Sequence, residues 1–426
     1  MRALRHWWHD TAGGLPATFW YLWAGLLINR AGAFAMLFLP LYLTDARGAS
    51  ESLAGTVVGA YGAGGAAGVL LGGVLADRWG RRATLLAAHL ATAALMVALA
   101  FSRPLLLIAV LSALVGVVHS MPSPAFVAAI VDVVPAERRS RAFNLQFWAF
   151  NLGMAVAALL AGVLAQASFT ALFLVDAGAT LTAAAVIGWK VPETLRRTAD
   201  LRPPTPSRAI RPRRPGLHTA LTDRTFLVFV GLTFVLAVLT MQTSTIMPLA
   251  MRADGLGPSA YGVVVALGGA MIVLGQLFVP RLIDRHRKHV VLAVSTALLA
   301  IGFGVLAVAD GLGVYLGAAV VWTVGSMLAA PPNAQINADL APPQLRARYQ
   351  SVFYLTFPAA AFVAPTLGGV SLQHLGHRHW LIVGGLGLLA ALGHLLAGPP
   401  RERHVAALRP VADREPAPAL DRVPTA

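Results

Sequence analysis

In Gly72-Gly73-Val74-Leu75-Ala76-Asp77-Arg78-Trp79-Gly80-Arg81-Arg82-Ala83-Thr84-Leu85-Leu86, two apolar runs meet across a turn that carries Asp77, Arg78, Arg81 and Arg82. Runs this apolar belong inside a bilayer, and a turn this short and basic returns the chain at the membrane surface. The pattern recurs. Asp284-Arg285 and Lys288 stand 207 residues after Asp77-Arg78 and Arg81.

Working outward, hydrophobic residues make up 57% of the 426, charged residues 12%, and the mean hydropathy is +0.69. A soluble domain carries about twice that charge. The net charge of +15 would point to nucleic acid in a soluble protein, but here the cations lie between hydrophobic runs, so no nucleic-acid partner is expected. Cysteine is absent, which excludes disulfides and thiolate metal sites, and no metal or cofactor is expected. Runs of about 20 apolar residues occur at 17–44, 52–76, 83–101, 105–131, 142–166, 168–189, 223–250, 259–282, 289–309, 313–337, 349–372 and 380–398. The first is read as an uncleaved span, because no small-residue cleavage site follows it.

The longest polar break, rich in Pro and Arg, separates two sets of six runs. The expected organisation is a six-helix bundle over 1–191, a cytoplasmic linker over 192–222, a second bundle over 223–398 and a Pro-rich, disordered tail over 399–426. With the N-terminus inside, 28 of the 33 Lys and Arg fall on inside segments. Four fall outside, and Arg30 lies within a span. Both termini are therefore expected in the cytoplasm, in a multi-pass plasma (bacterial inner) membrane. At the same offset Pro124 falls on Pro331, Asp132 on Asp339, Pro135 on Pro342, Arg139 on Arg346, Arg141 on Arg348 and Gly162 on Gly369. Two such copies in one orientation pack about an axis along the membrane normal.

The turn Gly73-Val74-Leu75-Ala76-Asp77-Arg78-Trp79-Gly80-Arg81-Arg82, in a chain of twelve spans with a basic linker, resembles the signature of the major facilitator superfamily. The resemblance implies an all-α membrane protein with twelve transmembrane helices in two pseudo-symmetric six-helix bundles. Asn29 to Phe34 followed by Phe38 to Leu43 resembles the drug:proton antiporter group of bacterial exporters. Two features of that group are missing: Ser112 to Gly116 has no Arg in the fourth span, and Gly153 to Ala158 has no Pro in the fifth. The resemblance implies a gate at the turn made by Asp77, Arg81 and Asp132, which closes the cytoplasmic side and breaks when that side opens. Arg78 and the second copy, Asp284-Arg285, join this candidate set; Arg82 and Arg78 serve topology.

Arg30 is the most informative single residue. An Arg inside a span costs about 3 kcal/mol or more, so it needs a partner or a wet cavity. The resemblance places spans 1, 4, 7 and 10 around a central cavity. Arg30 with Asn29 is therefore a candidate for binding an anionic group or tuning a proton carrier. Asp176, a carboxylate inside the sixth span, and His119, an imidazole inside the fourth, are the candidate carriers. Trp23, Phe34, Phe38, Asn144, Trp148, Asn151, Gln242, Trp322, Asn333 and Tyr354 are candidates for an aromatic cavity with sparse amides, which suits lipophilic substrates.

There is no phosphate-binding loop for ATP, no HExxH or GxSxG, and no repeated pore loop. The expected protein is not an enzyme. It is a secondary transporter, functional as a monomer, whose partners are a small-molecule substrate, protons and membrane lipid. Proton-coupled efflux of small lipophilic compounds is the expected activity, and proton-coupled uptake of a peptide- or sugar-like solute is the alternative.

Overall fold

The structure is a computed structural model that describes residues 13–408 except 196–217, 276–277, 280–282, 284–285 and 343–344. Asp284 and Arg285 of the candidate gate, and most of the linker, lie outside the described residues. The described chain is helical throughout. The first bundle holds α1 (Ala17–Gly32), α2 (Glu51–Arg78), α3 (Arg81–Phe101), α4 (Leu105–Val133), α5 (Arg139–Ala167) and α6 (Phe169–Lys190). The second holds α7 (Arg224–Thr245), α8 (Pro258–Gly275), α9 (Lys288–Val305), α10 (Leu312–Leu340), α11 (Thr356–Leu375, preceded by a helical turn at Arg346–Tyr354) and α12 (Arg378–Leu396). A further helix, α13 (Gly398–Leu408), follows. Residues 399–408, expected in a disordered tail, are thus helical.

Among the described residues, eleven helices are individually long and apolar enough to cross a membrane. The twelfth crossing is not the single helix expected over 17–44. Helix α1 stops at Gly32, the backbone turns without helix, and short helical pieces resume at Leu39–Leu41 and Tyr42–Ala46. An interrupted backbone at membrane depth survives only if protein groups satisfy it. Here Asp176 of α6 accepts the Ala35 N–H at 3.2 Å.

Glycines set how the two bundles meet. A Cβ at Gly55 would lie 2.2 Å from the Pro365 carbonyl oxygen and 3.1 Å from the Gly369 Cα, so α2 and α11 touch backbone to backbone. The repeat predicts the counterpart 207 positions on. A Cβ at Gly262 would lie 2.4 Å from the Ala158 oxygen and 3.3 Å from the Gly162 Cα, which joins α8 to α5. Gly55 with Gly369 and Gly262 with Gly162 are therefore one contact made twice about a pseudo-two-fold axis.

The contacts between bundles gather at one end. Ser52 donates to Gln373, Gln166 donates to Ser259, the Phe38 and Tyr261 rings meet edge to face, and Arg252 pairs with Asp45. Moving toward the Asp77 end, backbone contacts continue to Gly62 with Ala361 and Gly269 with Ala155. Beyond that depth the glycines of α2 turn inward: Gly64, Gly68 and Gly72 pack on α4 within their own bundle. At the Asp77 end, the ion pairs of the described residues stay within a bundle. The molecule is closed at its Asp45 end, where the Ser52–Gln373 and Gln166–Ser259 hydrogen bonds and the Arg252–Asp45 pair join the bundles.

Candidate functional site

Two polar assemblies stand out in the first bundle. One is the basic turn. Gly80 takes a φ of +110°, a conformation that favours glycine, and so permits the direct step from α2 into α3. Arg81, at the start of α3, reaches back to Asp77 at 3.3 Å and across to Asp132, at the end of α4, at 3.0 Å. It also donates to the Ala76 carbonyl at 2.8 Å. The sequence-predicted trio is thus brought together, but all three residues belong to one bundle. The cluster ties α2, α3 and α4 to one another.

Arg78 is exposed. Arg82 does more than carry charge: its guanidinium donates to the Gly188 carbonyl near the end of α6. The second copy keeps the bond. Lys288 donates to Asp339 at 2.8 Å, 207 positions from Arg81 and Asp132.

Sequence reading missed Glu193. Its carboxylate accepts the backbone N–H of Arg81 at 2.8 Å and of Ala83 at 3.4 Å, capping the N-terminus of α3 from the segment that leaves α6. Burial alone would raise its pKa, but the N–H groups of Leu195, Arg81, Ala83 and Arg82 outweigh this and hold it below the usual glutamate range. The signal was an acid placed among the arginines at the edge of a span. Glu193→Ala is expected to cost about 1 kcal/mol, read as a lower melting temperature. Because the folded pKa is depressed, this stabilisation is present above about pH 4.3 and is lost as pH falls through the lower folded value.

The other assembly surrounds Arg30, two residues before α1 ends. Its side chain lies over the Phe150 ring at 4.8 Å, a cation–π contact, and α5 packs so closely on its stem that a Cβ at Gly153 would lie 2.5 Å from Arg30 Cβ. Arg30 Nε is buried without a hydrogen-bond partner, and no carboxylate lies within ion-pair distance among the described residues. Tyr61 of α2, His119 of α4 and Asp176 of α6 are further polar groups inside spans of the same bundle. The Tyr61 hydroxyl and His119 Nδ1 are 3.1 Å apart, hydrogen-bonded across α2 and α4. Tyr61 had not been singled out from the sequence; a lone aromatic in the glycine- and alanine-rich α2 was the available signal.

Asn29 does not pair with Arg30. It donates to Thr180 at 3.2 Å, and Thr180 donates to Asp176 at 3.4 Å. Asp176 is 2% exposed and already holds the broken backbone after α1. The assembly has no copy in the second bundle: the positions 207 residues after Arg30, Tyr61, His119 and Asp176 are Ala237, Gly268, Ser326 and Val383.

The predicted cavity residues divide. Asn144 is exposed, Trp148 is half-buried beside it, and Tyr354 is 62% exposed. Asn151 is buried and donates to the Phe147 carbonyl at 2.9 Å. The others sit in packing. Trp23 donates to the Leu145 carbonyl at 2.8 Å, locking α1 to α5. Phe34 is buried, and Phe38 seals the closed end against Tyr261. Trp322 stacks on Phe303, which stacks on Trp380, inside the second bundle. Asn333 accepts from Thr233 at 3.0 Å, and Gln242 meets His379 at 3.3 Å, both within that bundle. Aromatics and amides are also what helix interfaces are made of, and composition alone does not separate the two uses.

Two six-helix bundles related by a pseudo-two-fold and meeting at one end, with a cation inside a span of the first, define a polytopic membrane transporter. The Major Facilitator Superfamily model matches residues 22–365 and 232–423, and the chain belongs to that superfamily. Among its relatives, the uncharacterized MFS-type transporter YttB of Bacillus subtilis is 27% identical over 368 residues, covering 85% of this chain and 90% of the relative. The multidrug resistance protein MdtH of Aeromonas hydrophila is 25% identical over 388 residues, covering 88% of this chain and 93% of that protein. A crystal structure of the peptide transporter POT in complex with sulfate shares the fold, with a TM-score of 0.76 at 18% identity over 91% of this chain and 96% of the other. Relatives and structural neighbours are transporters, and the chain is a transporter and not an enzyme.

Proposed function

We propose that this protein exports small lipophilic compounds in exchange for protons, by alternating access, from the bacterial inner membrane. The observation that carries the reading is Arg30: a cation without an ion-pair partner among the described residues, in the one bundle that also holds the Tyr61–His119 pair and Asp176. A charge left unpaired at membrane depth is held there at a cost, and membrane-buried ionisable residues mark substrate or proton paths. In this reading Asp176 and His119 exchange protons beside Arg30, and substrate passes between that polar wall and the apolar second bundle. In this reading the Arg-rich turns lie in the cytoplasm with both termini, so the Asp77 end faces inward and the Asp45 end, where the bundles are joined, faces outward. The chain works as a monomer, because each bundle is completed by the other. Similarity to a multidrug resistance protein supports efflux.

A second reading, proton-coupled uptake of a small polar solute, peptide- or sugar-like, draws on the same unpaired Arg30, which suits a carboxylate on the solute. Both are tested by imposing a pH gradient across proteoliposomes of defined orientation and following lipophilic dyes and labelled peptides or sugars. Efflux requires dye movement against the proton flux; co-movement of solute with protons would replace it by uptake. Asp176→Asn keeps an oxygen to accept the Ala35 N–H but removes the charge. It is expected to fold and to lose gradient-driven transport by about tenfold or more, whereas unchanged transport in both Asp176→Asn and His119→Ala would remove these residues from the coupling path.

A further inference from the structure

A cavity of about 420 Å³ opens at the Asp77 end of the second bundle, between the N-terminus of α9, the C-terminus of α10 and helix α13. Its size falls within the range of about 300–1,000 Å³ of small-ligand sites. Ile336, Leu340, Val405 and Ala406 form an apolar wall. The polar wall is basic. Arg287 lines it and has no acidic partner among the described residues. Arg401 lines it at 4% exposure. Its Nε donates to the Ala397 carbonyl and one terminal nitrogen donates to that of His394, each at 3.0 Å, while Nη1 is buried with no partner. The two carboxylates present are engaged: Asp339 with Lys288 at 2.8 Å and Glu402 with His289 at 2.9 Å.

The repeat shows what is missing. In the first bundle the N-terminus of α3 is capped by Glu193 through the Arg81 and Ala83 N–H groups. The matching residue of the second bundle is Lys288, at the start of α9, and among the described residues no side chain caps that helix. A carboxylate that one bundle supplies from its own chain is replaced, in the other, by a cavity with cations. A helix N-terminus with unmet N–H groups favours an anion, and a buried guanidinium with an idle nitrogen calls for an acceptor.

We propose that this cavity binds a phosphate-bearing anion, held by Arg401, Arg287 and the backbone N–H groups that open α9. The apolar wall fits the glycerol and upper acyl chain of an anionic phospholipid, and the polar wall alone fits a free phosphate. The full-length protein in detergent would be titrated with phosphatidylglycerol, phosphatidylcholine, glycerol 3-phosphate and inorganic phosphate while following the unfolding temperature. Native mass spectrometry would count retained lipid. Phosphatidylglycerol is expected to raise the unfolding temperature of wild type and of the exposed control Arg403→Gln. Arg287→Gln, at an exposed position that should fold, is expected to weaken the response about tenfold, and Arg401→Gln at least as much if it folds. A response to inorganic phosphate equal to that of the lipid supports the site and assigns it to a soluble phosphate. Equal responses of wild type and Arg287→Gln to every anion, or no response at all, overturn the proposal.

Discussion

Arg30→Ala is expected to abolish gradient-driven transport while leaving the protein folded and membrane-inserted. The cation makes no ion pair whose loss would strand a carboxylate, and its Nε has no hydrogen bond to lose. Its packing loss is a stem against Gly153 and one ring, Phe150. An Arg that is costly at this depth and weakly held by its neighbours is a poor stabiliser, so removing it should leave the unfolding free energy within about 1 kcal/mol of wild type or raise it, read as an unchanged or higher melting temperature. Transport should fall by about a hundredfold. Arg30→Lys separates the roles: it keeps the charge but not the flat guanidinium over Phe150, and partial recovery would assign the requirement to charge. A large loss of stability with transport per folded molecule unchanged would make Arg30 a packing residue and remove the basis of the functional reading.

The second large effect is conformational. Gly55→Leu should hold the bundles apart at the Asp45 end. The new side chain would begin 2.2 Å from the Pro365 carbonyl oxygen, a backbone atom that cannot swing aside. Overpacking costs about 1–3 kcal/mol, which converts to a shift of about tenfold to a hundredfold in the closed population. The chain has no native cysteine, so a pair at Gln166 and Ser259, hydrogen-bonded across the other interface at 2.5 Å, reports closure cleanly. Oxidative cross-linking of Gln166→Cys with Ser259→Cys should slow by about tenfold or more when Gly55→Leu is added. Cross-linking at an unchanged rate would mean that closure at one interface does not depend on the other.

Much of the fold could be read from charges and prolines at one offset, because those residues mark span ends and the repeat copies them. Asp132 with Arg81, and Asp339 with Lys288, came together as the offset implied. The break in α1 was hidden. Residues 33–38 are as apolar as a helix and contain no mid-span Pro to announce a stop, and what permits the break is Asp176, far along the chain. The candidate site was half legible. A charge at membrane depth advertises itself, so Arg30, His119 and Asp176 could be found. Tyr61 could not, because its importance lies in facing His119 rather than in its composition. Trp322 and Gln242 were misplaced for the opposite reason: helix periodicity does not say whether a face meets a cavity or a neighbouring helix.

The Asp45–Arg252 pair at the closed end holds a record of descent. Asp45 and Arg252 are 207 positions apart, so each occupies the place of the other in the opposite bundle. A position can touch its own counterpart only on the axis that relates the bundles. Two identical six-helix units assembled in the same way would set Asp against Asp there, or Arg against Arg, and would be driven apart at that point. The salt link is therefore open only to a fused chain whose two copies have diverged. At this end of the molecule the two copies carry opposite signs at one position, so that what would be a repulsion between like units is a clasp.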